Sequence, residues 1–411
     1  MVLNRRDLIK LAAISLAPNF GLLPRTALSE PQTRATKKPT LLGLTTLNEQ
    51  RAEQSSLFWF DLETGTETFT PLADYRFGHS LEPLHHGRWL AIPYGDDDVA
   101  CLVLDHKGVI ERRIEAPPGM GFGGHGAVFD DGRHVLLHFN HSYREQRAGI
   151  VAIVDTDSGK TVKQQNTSIL HAHDIIPLQN GQIVIADDGV IEKEDGALLF
   201  EAIQPALYYF EKNLTLSRKV DLKINGSVVH LAEDGNETVI GAVEQYLMRS
   251  SEGHAFFKAT FDAPSEPYFT QFDKELFPED VPLPSTIVSV NRQGSFSNLA
   301  SQFNHQDPFD MTYNPIAGVT ACVFTASNLL ALKRDSESQW HYIDTLQMNI
   351  DSPFGLTSLE ASPLIAINGF DRGIGIIDAN RLAPINQFDV PTRGVKHLSY
   401  SNLGQAGGAL S

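Results

Sequence analysis

His125-Gly126-Ala127-Val128-Phe129-Asp130-Asp131-Gly132-Arg133-His134-Val135-Leu136-Leu137 reads as a histidine, an apolar run, an Asp-Asp-Gly turn and a second apolar run. Two short apolar runs on either side of a Gly turn are the pattern of paired antiparallel strands. The histidine and its apolar run recur at Gly78-His79-Ser80, His171-Ala172-His173, Val229-His230-Leu231 and Lys396-His397-Leu398. His79, His125, His173 and His230 follow one another at intervals of 46, 48 and 57 residues. Short strands repeating at about 50 residues are the sequence form of propeller blades. The expectation is an all-β chain, a seven-bladed β-propeller. A histidine at a fixed place in each repeat then arrives at one end of a central channel, however far apart the histidines are in sequence.

The count of seven takes the five histidine units together with two degenerate ones, at Pro308-Phe309-Asp310 and Pro353-Phe354-Gly355. The opening unit, from Thr40-Leu-Leu-Gly-Leu-Thr-Thr through Thr66-Glu-Thr-Phe-Thr-Pro-Leu, has three strands and no histidine strand of its own. Val395-Lys-His-Leu-Ser-Tyr-Ser has the histidine strand and only a Gly-rich tail after it. The last strand is therefore expected to complete the first blade, closing the ring by pairing the N- and C-terminal strands and removing two exposed edges.

The chain divides into an export signal (1–29), a polar linker (30–39), the propeller (40–405) and a flexible tail (406–411). Arg5-Arg6, the weak apolar stretch Leu11-Ala-Ala-Ile-Ser-Leu-Ala and the small-residue site Ala27-Leu28-Ser29 read as a cleavable signal. The apolar stretch is broken by Pro18 and is too short to span a bilayer. The paired arginines fit the twin-arginine route, which carries folded proteins, and the expected location is the periplasm. Longer insertions are expected at Asp188–Gln204 and Glu244–Pro284.

Removal of residues 1–29 leaves 29 Lys and Arg against 49 Asp and Glu. Such a surface repels nucleic acid and anionic lipid and favours cations or basic partners. Cys101 and Cys322 both fall mid-strand in different blades and are expected as buried, unpaired thiols. No Cys-x-x-Cys-His motif for covalent haem occurs. The Asp-x-x-x-Gly turn at Asp155 to Gly159 is read as turn chemistry and not as a calcium site.

Gly124-His-Gly-Ala-Val-Phe-Asp, His173-Asp-Ile-Ile-Pro-Leu-Gln-Asn-Gly followed by Ile183-Val-Ile-Ala-Asp-Asp-Gly, Gln204-Pro-Ala-Leu-Tyr-Tyr-Phe and Val228-Val-His-Leu-Ala together resemble a bacterial family of unknown function. Its members are twin-arginine-exported seven-bladed propellers that accompany imelysin-type proteins and di-haem oxidoreductases linked to iron uptake. The resemblance covers roughly residues 40 to 400. It implies those proteins as periplasmic partners and leaves the chemistry open. The long insertion after Glu244 and the histidines of His138-Phe-Asn-His141 depart from the family pattern.

Candidate ligands are His79, His125, His171, His173, His230 and His397, with iron, copper or zinc as the metal, because imidazole beside carboxylate suits those ions. His171 and His173 are two apart and on a regular strand face the same way. The channel-face loops are expected to add Asp96, Asp97, His138, His141, Asp187, Asp188, Asp371 and Arg372. Two readings of the histidines stand side by side, a polar pore lining bonded to backbone carbonyls and water, or a metal site. The functional expectation is a periplasmic protein that binds a partner or a metal-bearing ligand on this face, in iron acquisition. The alternative is a metal-dependent oxidoreductase or hydrolase using the same face. If the leader is of the twin-arginine type, replacing Arg5 and Arg6 together with lysine leaves the precursor in the cytoplasm, as fractionation and blotting would reveal. Unchanged export points to a general secretory signal.

Overall fold

Antiparallel pairing of sequence neighbours runs through the computed structural model, which describes residues 39–45, 54–95, 99–141, 147–188, 205–222, 224, 227–244, 287–299, 308–325 and 327–401. The expected signal, nearly all of the linker, the tail, residues 189–204 and residues 245–284 lie outside the described residues. The described residues form an all-β protein of several sheets with short 3-10 turns. None of its helices is long and apolar enough to cross a membrane.

Five sheets are four-stranded meanders, such as Ala172–Pro177, Ile183–Asp187, Ala206–Phe210 and Leu216–Asp221. A nine-stranded sheet contains two more such runs, joined where Tyr94 and Gly95 pair with Gly123 and Phe122. One four-stranded sheet takes its strands from both ends of the chain: Val395–Ser401 pairs with Thr40–Thr45, with Leu41 opposite Tyr400 and Leu42 opposite Ser399.

Turn chemistry sets the strand ends. Asp155 Oδ1 accepts the backbone N–H groups of Asp157 and Ser158, and Gly159 closes the turn at φ +70°, a conformation in which a side chain is strained. No calcium is needed to explain this aspartate.

The core lies between sheets. Leu42, Leu44 and Leu57 from the first sheet pack with Leu81, Trp89 and Leu102 from the second. Leu41, Phe58 and Phe60 pack with Ala366, Ile374 and Leu398, so the first and last parts of the chain share a core as well as a sheet. Cys101 and Cys322 are buried in separate clusters and form no disulfide, and burial pushes the Cys101 thiol up.

The innermost strand of each unit is irregular at a shared place. Pairing slips between Gly78 and Ser80, Ala172 and Ile175, Val228 and His230, Pro308 and Met311, and Pro353 and Leu356. Between the first and last strands it slips opposite Lys396 and His397. An extra residue in one strand bends it and re-aims a side chain.

Because the terminal strand supplies both a sheet partner and core side chains, shortening the chain after Gly394 is expected to abolish cooperative folding in circular dichroism melts. The milder Leu398→Ala change is expected to cost about 2–5 kcal/mol in urea unfolding, the usual range for a fully buried leucine.

Candidate metal centre

Five imidazoles meet at one place: His79, His173 and His397 lie within slipped pairings, His230 directly follows one and pairs with Ala242, and His125 lies in the break between Gly121–Gly123 and Ala127–Val128. Nine of the ten pairs among His79, His125, His173, His230 and His397, all but His173 with His397, have ring centroids 4.6 to 6.3 Å apart. Phe309 and Phe354 occupy the corresponding places in the two degenerate units and stack on each other at 3.9 Å. The result is lopsided, with histidine on one arc and phenylalanine on the other.

Four of the histidines form a tighter set. One nitrogen from each of His79, His125, His230 and His397 lies within 4.8 Å of the others. His79 Nε2 stands 3.1 Å from His125 Nε2 and 3.2 Å from His397 Nε2. Imidazole nitrogens bound to zinc at about 2.1 Å sit about 3.4 Å apart at tetrahedral angles. Two of the pairs already have that spacing. Gly124, at φ +97°, lies so close to His79 that a Cβ there would stand 2.5 Å from the ring. Only glycine fits at that approach.

Partners on the far side of the rings fix where protons sit. His230 Nδ1 bonds the Phe309 carbonyl, which can only accept, so the proton is on Nδ1 and Nε2 carries a lone pair. That Nε2 is buried and has no hydrogen-bond partner. His397 Nδ1 is 3.3 Å from Asp310 Oδ2, and His125 Nδ1 is 3.5 Å from Asp174 Oδ1. A carboxylate behind a ligating histidine is the usual outer partner of a metal site. Both carboxylates are themselves anchored across units, Asp174 by Leu231 N–H at 2.7 Å and Asp310 by Leu356 N–H at 2.7 Å.

Protonation is opposed at four of the rings. Burial, then repulsion from neighbouring imidazoles, holds His79, His125 and His173 well below the usual imidazole range and takes His230 to about 3. Burial pushes Asp174 up to about 8 and Glu82 up to about 7. The site therefore resists isolated charge, and His79 Nε2 meets two other Nε2 atoms while it can offer only one N–H or one lone pair between them.

The remaining expected residues lie elsewhere. His173 packs against the tetrad and Tyr94 without belonging to the four. His171 precedes the irregular pairing and faces Asp188 at 3.8 Å and Asn140 at 3.5 Å, away from the tetrad. His138 bonds Asn140 and Thr167, while Asp187 accepts the backbone N–H groups of Leu170 and His171. Asn140 in turn bonds the backbone of Ala172 on both sides, so this polar group fastens the strand that carries His173. Burial takes His138 to about 4 and His171 to about 3. His141 is next to this group in sequence. Arg372 pairs with Asp389 on the surface, and the Asp371 carbonyl accepts the Thr392 N–H. Asp96 and Asp97 lie outside the described residues.

Asp174, Asp310, Glu82, Phe309 and Phe354 were not among the expected site residues. The signal for the two aspartates was present, since each directly follows the central residue of its unit in His173-Asp174 and Phe309-Asp310.

The proton balance predicts a stability maximum near neutral pH. Histidines whose folded pKa is depressed lose stability for the protein as pH falls below about 6.5, each by about 1.4 kcal/mol per pH unit while it stays neutral in the fold. Asp174 and Glu82, with raised values, lose stability as pH rises toward 8 and 7 respectively. Six depressed histidines outweigh two raised carboxyls on the acid side. Urea midpoints of metal-free protein are expected to peak at about pH 6.5–7 and fall steeply toward pH 4; a flat profile over that range contradicts the assignment.

Among solved structures, the chain is similar to a catalytically inactive virginiamycin B lyase variant from Staphylococcus aureus crystallised with quinupristin. The TM-score is 0.50 at 10% identity, covering 82% of this chain and 92% of that one. This likeness shows the fold alone, of β-propeller type. A streptogramin B lyase matches with TM-score 0.48 and 12% identity over 77% of this chain and 84% of that one. A protein of unknown function from Bacteroides caccae matches with TM-score 0.46 and 10% identity over 89% and 98%. No curated protein matches by sequence. Residues 97–275, which contain His125, His173 and His230, match the model of a family described as "Protein of unknown function (DUF1513)".

Proposed function

We propose that this chain is an exported seven-bladed β-propeller, closed by its terminal strands, that holds a divalent transition-metal ion in its central histidine cluster and serves metal acquisition. Seven four-stranded runs, counting the two within the nine-stranded sheet, support the blade number. The pairing of Thr40–Thr45 with Val395–Ser401 supports closure. The paired arginines of the leader support export to the periplasm, and the family resemblance supports a link to iron and to imelysin-type or di-haem partners that exchange the ion with it.

One observation carries the metal reading. His79 Nε2 faces two other Nε2 atoms at hydrogen-bond distance, and His230 adds a buried, partnerless Nε2 whose lone pair is fixed by the carbonyl behind it. His79 Nε2 offers either one N–H or one lone pair, so it can make only one of its two contacts as a well-directed hydrogen bond. A cation satisfies all of them at once. In a pore lining, by contrast, ring nitrogens alternate as donor and acceptor.

The purified mature protein is expected to bind one zinc, copper or iron ion per chain at micromolar concentration, by elemental analysis after desalting. The His125→Ala, His230→Ala double variant is expected to lose that ion while keeping its β-sheet circular dichroism. Asp310→Asn, which alters the group behind His397, is expected to weaken binding about 10–100-fold. A folded wild-type protein that binds none of the three ions overturns the metal reading.

A further inference from the structure

We infer that the cavity below the histidines is a charge-selective inlet that admits hydrated divalent cations and turns away metal held in anionic chelates, with Glu82 as the capturing carboxylate. The inference rests on the metal reading above.

A cavity of about 400 Å³ runs from the cluster along the inner strands. Its inner end is formed by His125, His230 and His397, and its outer end by the exposed Pro83, Pro177 and Glu360. It thus reaches solvent past the far ends of the strands whose beginnings carry the histidines. A divalent ion with six waters, at about 30 Å³ for each water, fits this volume.

The lining has one sign. Glu82, Asp174, Asp310 and Glu360 contribute carboxyls, Thr312 and Thr357 contribute hydroxyls, and no Lys or Arg lines the cavity among the described residues. Lys396, whose charge depresses four of the histidines, is not part of that lining. Apolar walls such as Leu231, Met311 and Leu356 keep the local dielectric low, which focuses the field of the carboxylates on the passage.

A second, independent feature points to a ligand. The partnerless Nε2 belongs to His230, buried at the inner end of this same cavity. Hard oxygen donors along the passage accept an aqua ion of any common divalent metal, and the nitrogen donors at its end favour the transition metals. Charge is thus sorted at the inlet and metal identity at the cluster. An anionic chelate meets Glu360 and, above about pH 7, ionised Glu82 before it reaches an imidazole, while Asp174 and Asp310 stand beside the rings themselves.

The test is stopped-flow loading of the full mature protein with cobalt(II) chloride at pH 8 and low salt, where Glu82, at about 7, is ionised. Wild type is expected to load fast, with a rate that falls steeply with added salt. Glu82→Gln is expected to load about tenfold more slowly with a weaker salt dependence. Its visible cobalt bands should not move, because the ligating nitrogens are the same. Glu360→Gln, at the exposed rim and free of packing consequences, is expected to slow loading about twofold. Cobalt supplied as its anionic nitrilotriacetate complex is expected to transfer far more slowly than the aqua ion. Equal loading of wild type and both variants, or of chelate and aqua ion, overturns the inlet while leaving the metal site standing. Absence of any cobalt band in folded wild type overturns the metal reading and the inlet with it.

Discussion

An additional residue in the pairing of the inner strands takes His79, His173 and His397 out of the ladder, and the arrangement of the central rings depends on that irregularity. In a regular strand His79, His173 and His397 would alternate with core residues along the pleat. With the slip, Leu81, Ile175 and Leu398 keep their places in the clusters between sheets while the histidines leave the ladder. The strain of an unpaired backbone segment is met by neighbouring units. Asn140 binds Ala172 from the sheet before it, Thr325 binds the Pro353 carbonyl at 2.7 Å, and Asn368 binds the Val395 carbonyl at 2.9 Å. Each bond ends one or two residues before His173, Phe354 or His397. The positions of these three central rings are thereby set by the unit that precedes each.

The electrostatics of the centre follow from burial more than from the count of charges. Imidazoles kept neutral by desolvation are good ligands at neutral pH, since no proton need be displaced from them. Asp174, which burial also holds back from ionising, would change its state beside a cation, because opposite charge nearby lowers a carboxyl pKa. The carboxyls of Asp174 and Asp310 are held in place behind His125 and His397 by the backbone N–H groups of Leu231, Ile175, Leu356 and Met311.

The repeat was legible because strand, turn and strand leave local marks: apolar alternation, Asp and Gly turns, and a histidine at a constant offset. Those marks lead to an all-β chain and to the convergence of His79, His125, His230 and His397. The divergence of His171 from His173 was not legible, since the irregular pairing between Ala172 and Ile175 cancels the period-two rule and leaves no residue type as a sign. Asp174 and Asp310 were visible as residues, yet their role depends on which unit each faces, a relation between distant segments. Glu82 looked like an ordinary strand residue. Its meaning comes only from the passage it lines.

His397, the residue that completes the tetrad, sits on the last strand of the described chain, and that strand is held by the first. During synthesis the other three histidines emerge long before it. An unfinished chain therefore lacks both the fourth nitrogen and the sheet that positions it. Synthesis order itself postpones assembly of the tetrad until the last described strand has been made.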